Sequence, residues 1–247
     1  MFAIDYLKKN SDLIQEFRAA ADRVTRVAEH YGIKVRGYGS ADLPLYSKLS
    51  REQQEVALQL IALFADSFEA AIDHSRQPPA EERFLWSALS KMGMVPPSEL
   101  FSLLKQGAVI EIYNLENLQI WRNFSCFQYC SYSLEEVYSL PVFTRYWRSP
   151  EKLEECLTKV NELLSGRAPD VFFPEIEKHK LIETCSEGCL VLEVHHELFC
   201  KLKDRNGTLC AWLVMSSAEL LGSSEKHPKP EYRENLYTLP SDSFPVM

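Results

Sequence analysis

Two hydrophobic periods divide the chain near residue 107. Before it, apolar positions recur at steps of three and four; after it, they alternate within short runs bounded by turn signals. In DLIQEFRAAADRVTRVAEHY, Ile14, Phe17, Ala21, Val24, Ala28 and Tyr31 fall on one narrow helical stripe, with Arg18, Arg23, Arg26 and Glu29 outside it. A narrow stripe suits a helix-to-helix seam, either within a bundle or between two copies of the chain. YGIKVRGYGSADLPLYSKL breaks the pattern and reads as a loop. Ser50 and Gln53 form a capping box for a helix from Arg51 to about His74, whose apolar face carries Ala57, Leu60, Ile61, Phe64, Phe68, Ala71 and Ile72. After the break RQPPAEER come FLWSALSKMG, closed by Gly93, and a short PPSELFSLLKQG, with Pro97 in its first turn and Gly107 at its end.

From Ala108 the residues are β-branched and aromatic. Val109 to Tyr113 and Leu118 to Phe124 read as strands around the turn NLEN. SYSLEEVY and PVFTRYWR follow as two short helical pieces. Ser149 and Pro150 open a longer helix with Leu153, Cys156, Leu157, Val160, Leu163 and Leu164 on its stripe, ended by Gly166. RAPDVFFPEIEKH connects to three more strands: HKLIETC, CLVLEVHHELFCKL and TLCAWLVMSS. Asn206-Gly207 between the last two predicts a type I′ turn, which needs positive φ at both residues. Ser216 to Glu219 predicts one capped helical turn after the final strand. The predicted units are a helical region over 1–107, an α+β unit over 108–221 and an extended tail over 222–247.

The order β-β-α-α-α-β-β-β resembles a PAS domain of the kind found in bacterial sensor kinases and beside LuxR-type regulators. Asn123 followed by CFQYCSYSLEEV is similar to the family's helix and GYS-x-EE turn, with Ser131 where glycine is usual. HKLIETC resembles its h-x-h-x-E strand. FCKLKDRNGTLCAWLVMS resembles its closing hairpin, with Ala211 in place of the second glycine. Ser217-Ala218-Glu219 departs from the family's terminal Asp-Ile-Thr. The resemblance implies a five-stranded antiparallel sheet covered by helices, with a space between them that holds a ligand or is filled by core side chains. Ile110, Ile112, Phe127, Tyr146, Trp147, Leu192, Val194 and Leu213 are the residues expected to line that space. The helical region resembles no family.

Composition changes the picture mainly by exclusion. With 46% hydrophobic and 25% charged residues in 247, the chain can bury a core. The formal charge is −8 and Lys and Arg are scattered among acids, so no basic face for nucleic acid or anionic lipid is expected. There is no apolar run of membrane-spanning length and no signal-peptide pattern, so a cytoplasmic protein is expected. The odd count of seven cysteines reads as reduced, mostly buried thiols. A metal site from Cys126, Cys130, Cys185 and Cys189, with His195 and His196 nearby, is the competing reading. Its three-residue gaps are wider than the C-x₂-C of zinc knuckles, and a metal-poor protein is expected.

No cofactor is expected. NFSCFQ is similar to the flavin-binding NCRFLQ of photosensing PAS relatives, but it precedes the YSLEE segment where the photoactive cysteine should follow it. Haem-binding relatives use a helical histidine, whereas His179 falls at a strand start. His195 and His196, adjacent on a strand, should face opposite ways. With no G-x-S-x-G elbow, Walker loop or G-x-G-x-x-G, no catalytic constellation is present. The expectation is a bacterial, non-enzymatic PAS-type signalling protein. It would bind a small apolar or amphipathic ligand or a protein partner, with its output on another protein and dimerisation possible through the first helix. The alternative is an interaction or effector protein that uses the scaffold without a ligand.

Overall fold

A computed structural model describes residues 2–72, 77–140, 142–184 and 186–225, with side chains from residue 12 onward, Phe143 excepted. Of the tail expected over 222–247, Gly222 and Ser223 belong to the last strand, and residues 226–247 lie outside the described residues. The elements in order are α1 (Phe2–His30), α2 (Arg51–Ala70), α3 (Glu81–Met92), α4 (Leu100–Leu103), β1 (Val109–Asn114), β2 (Gln119–Arg122), α5 (Leu134–Ser139), α6 (Val142–Arg145), β3 (Tyr146–Trp147), α7 (Pro150–Leu164), β4 (Val171–Phe172), β5 (His179–Glu183), β6 (Leu190–Lys203) and β7 (Leu209–Ser223). Two caps read from the sequence are formed: Ser50 and Gln53 bond reciprocally, and the Ser149 hydroxyl accepts from Lys152 N. Ser133 and Glu136 form a further capping box at the start of α5.

The architecture is α+β, with an antiparallel sheet ordered β2-β1-β7-β6-β5-β3 and β4 paired to β6. This arrangement is consistent with a PAS-like fold, but the sheet among the described residues has seven strands rather than five. The two additions are two-residue strands. Tyr146–Trp147, expected as helix, pairs with Ile182 and Glu183, and Val171–Phe172, expected as loop, pairs with Phe199 and Cys200.

The end of the sheet also differs from expectation. Ser216–Glu219 is strand, not a helical turn, because the first half of β6 needs ladder partners and β7 supplies them as far as Leu190↔Ser223. The Asn206-Gly207 turn is not type I′. Only Gly207 has positive φ, because the Asp204 carboxylate accepts from Asn206 N and Thr208 N and holds the preceding residues in an ordinary turn.

Over its central strands both faces of the sheet are buried, while the end of β7 from Glu219 is exposed. On one, Ile110, Ile112, Leu198, Cys200, Leu202, Ala211, Leu213 and Met215 join a core shared with α1, α2 and α3. The α1 stripe is wider than its sequence pattern suggests: Leu13, Ala20 and Val27 are buried beside Phe17, Ala21, Val24, Ala28 and Tyr31. It is therefore used inside the chain, where Arg23 also pairs with Asp66 and Glu69 of α2 at 2.5 and 2.6 Å. An aromatic cluster ties the layers together. Phe84 stacks on Phe124 at 4.6 Å and meets Phe68 and Trp121 at 4.9 and 5.0 Å. The core thus runs without a break across residue 107.

On the other face α7 lays Cys156, Val160 and Leu163 over Tyr113, Phe199, Trp212 and Val214. A bulge in β6 between His196 and Leu198 changes which residues point there. Before it Leu192, Val194 and His196 face α7; after it Phe199 does, while Leu198 and Cys200 turn to the other core.

The loop between β5 and β6 is held against Ser131. A Cβ on Gly188 would lie 2.6 Å from the Ser131 Oγ and 2.7 Å from its Cβ, and Gly188 N donates to that Oγ at 3.1 Å. Gly188→Ala should cost about 1–3 kcal/mol by overpacking. Combined with Ser131→Gly, the two effects should depart from additivity by more than about 1 kcal/mol in denaturant melts. Simple addition would show that the loop does not rest on Ser131.

Candidate functional site

Between the sheet and α7 lies a cavity of about 100 Å³. Most of its wall is apolar, including Val109, Val160, Leu181, Leu192, Val194 and Val214, but one end is polar. There Glu111 of β1 and Arg122 of β2, opposite each other in the register, are joined through Gln119, whose amide donates to Glu111 and whose carbonyl accepts from Arg122. Arg145 Nη1 donates to the same carbonyl at 2.9 Å, and Arg122 Nη1 reaches Cys130 Sγ at 3.2 Å. Arg122 and Arg145 are both buried, and the Nε of each has no hydrogen-bond partner among the described residues. Such a group is held at a desolvation cost unless something else engages it. Tyr146 stands nearby, and burial raises its phenol well above the ordinary value.

The eight residues expected to line this space divide between two places. Tyr146, Leu192 and Val194 line the cavity. Ile110, Ile112 and Leu213 point away from it, into the core shared with the N-terminal helices. The cause is the period of two: their neighbours Glu111, Tyr113 and Val214 hold the cavity side, and apolar content does not distinguish two buried faces. Phe127 packs at the edge of the helical core, 6.3 Å from Phe68 and beneath the Arg122 guanidinium at 6.0 Å. Trp147 sits on the edge strand opposite Ile182, away from the lining.

Among the described residues, the cysteines considered as metal ligands each have a hydrogen-bond partner of their own. Cys126 lies in the 3-10 turn Phe124–Gln128 and bonds to the Ile110 carbonyl, Cys130 is held by Arg122, and Cys189 bonds to the Glu183 carbonyl. Cys185 lies outside the described residues. A different trio converges at the cavity wall: Cys156 of α7, His179 of β5 and His196 of β6. Burial lowers both histidines below the ordinary imidazole value, His196 the further, and the nearby Arg148 adds to the effect. Sequence reasoning noted all three residues but nothing in their spacing connects them.

No protein-family model matches this sequence, and no curated protein matches it. A solved structure of an RNA-binding light-oxygen-voltage receptor aligns with 11% identity and a TM-score of 0.32, over 87% of this chain and 61% of that one. This chain therefore spans less than two thirds of that receptor's length. Among the described residues no helix is long and apolar enough to cross a membrane.

Proposed function

We propose that the chain is a cytoplasmic, non-enzymatic PAS-type sensory module whose cavity takes a small amphipathic ligand and whose output lies on another protein. The observation that carries this reading is the cavity itself: an apolar chamber under the sheet with donors from Arg122 and Tyr146 gathered at one end. Its volume is on the scale of the engineered cavities of about 150 Å³ that accept benzene, so the fitting ligand is compact, of one-ring size. The unpartnered Arg122 Nε and the excess of guanidinium over carboxylate around Gln119 favour a ligand bearing an acceptor or an anionic group.

The test is ligand-observed NMR and thermal shift on the full chain, with monocyclic carboxylates and phenols as probes. Binding should weaken several-fold, up to about tenfold, in Tyr146→Phe, which removes one hydrogen bond. It should be abolished in Val160→Phe, which fills the chamber from α7. If no such probe binds, and Val160→Phe only destabilises by overpacking, the space is packed core and the scaffold serves protein interaction instead.

A further inference from the structure

The Cys156, His179 and His196 trio has a geometry that the ligand reading does not use. The register of β5 on β6 places His179 opposite Val194, two residues from His196, so the two imidazoles are diagonal neighbours on the α7 side of the sheet. Their ring centroids are 5.3 Å apart. Helix α7 brings Cys156 down onto the pair, and its Sγ and one nitrogen of each ring all lie within 4.8 Å of one another.

Each ring is already fixed through its Nδ1, which leaves Nε2 to meet an ion. His179 Nδ1 lies 3.2 Å from the Glu177 carbonyl, and His196 Nδ1 lies 2.9 Å from Ser216 Oγ. Anchoring of this kind orients metal-binding histidines and selects which nitrogen faces the ion. It leaves His179 Nε2 buried with no hydrogen-bond partner among the described residues, in a residue only 7% exposed. A buried ring nitrogen without a partner calls for one, and a sulfur and a second imidazole are what lie beside it.

We infer that Cys156, His179 and His196 form a zinc(II) site with three protein ligands and a fourth position open to the cavity. A borderline-soft d¹⁰ ion suits one thiolate and two imidazoles, and three protein ligands with one open position is a common zinc arrangement. Ligand atoms around such an ion stand about 3.3–3.6 Å apart, so the trio need contract by only about an ångström. Cys156 and His196 line the cavity, and His179 completes the site behind them. Arg148 Nη1 donates to Cys156 Sγ at 3.3 Å. Its charge offsets that of the thiolate, which favours an anion in the fourth position.

The inference does not rest on the organic-ligand reading, because zinc can bind where no organic probe does and the reverse. The experiment is titration of the chelator-stripped full chain with zinc(II) against a competing chromophoric chelator, and with cobalt(II) by absorption. One equivalent should bind, and cobalt should give a thiolate-to-metal charge-transfer band with the strong visible bands of a four-coordinate site. Cys156→Ser should remove the charge-transfer band. Cys156→Ser, His179→Gln and His196→Gln should each weaken zinc binding at least about a hundredfold, and Ser216→Ala by about 10–100-fold, as loss of an orienting partner does. Cys126→Ser, whose thiol bonds to the Ile110 carbonyl, should leave binding unchanged. Absence of stoichiometric binding, a cobalt complex without thiolate character, or full binding by Cys156→Ser would each overturn the assignment. The wild-type cobalt spectrum reads the thiolate directly, so a variant that fails to fold does not shelter the inference.

Discussion

Phe84→Ala is expected to lower the stability of the whole chain by about 3–5 kcal/mol, in one transition. Phe84 is wholly buried in α3 and touches α2 through Phe68, β2 through Trp121, and the turn after β2 through Phe124. Truncation removes the largest part of its transfer free energy and leaves a void lined by three aromatic rings, which cannot collapse easily. Because the same cluster lies in both the helical region and the sheet, the loss must appear in both. Denaturant unfolding followed by far-UV circular dichroism and by tryptophan fluorescence should give coincident curves, shifted together in the variant. Two separated transitions, with only one moved by Phe84→Ala, would show that the helices fold apart from the sheet and merely rest on it.

The elements of this fold were legible in the sequence wherever local chemistry decides. Ser50 with Gln53, Ser149 with Pro150, Gly93 and Gly166 mark helix ends through hydrogen bonds or φ values that depend on a few neighbouring residues. What was not legible depends on pairing. Tyr146 and Trp147 carry no strand signal of their own beyond being aromatic; they are extended because Ile182 and Glu183 offer an edge. Ser216 to Glu219 reads as a cap until the partner residues His196 to Glu193 are known.

The cavity was harder to read for a more specific reason. In VIEIYN the alternation marks Ile110 and Ile112 as the buried face and Glu111 as the wet one, which is correct for a sheet with one solvent face. Here the helical region covers the Ile110 side, and Glu111 points into a second, partly polar interior beneath α7. The residue that looks solvent-exposed is thus the one that lines the site, and the same parity moved Leu213 out and Val214 in. The bulge at Glu197 adds a second change of parity within β6. His196 and Phe199 come to share a face although three residues apart, and their rings meet at 5.9 Å.

Glu183→Ala should destabilise the chain by about 3–5 kcal/mol, a loss set by unpaired donors more than by lost volume. Glu183 ends β5 and is wholly buried. Its carboxylate accepts from Ser131 N at 2.7 Å, from Leu190 N at 3.0 Å, and from the hydroxyls of Ser131 and Ser186. It thereby ties the approach to α5, the loop after β5 and the first residue of β6 to one point. Hydroxyls can rotate towards other acceptors, but the two backbone N–H groups cannot, and each left buried without a partner costs about 1–3 kcal/mol. Glu183→Gln is the informative companion. It keeps the shape and one acceptor oxygen but turns an NH₂ towards a donor, so it should cost about 1–3 kcal/mol. Hydrogen exchange should accelerate at Ser131 and Leu190 in both variants, more in Glu183→Ala, while the amides of α1 and α2 keep the protection set by global stability. A Glu183→Gln variant as stable as the wild type, with the whole loss confined to Glu183→Ala, would mean that volume, not hydrogen bonding, is what Glu183 supplies there.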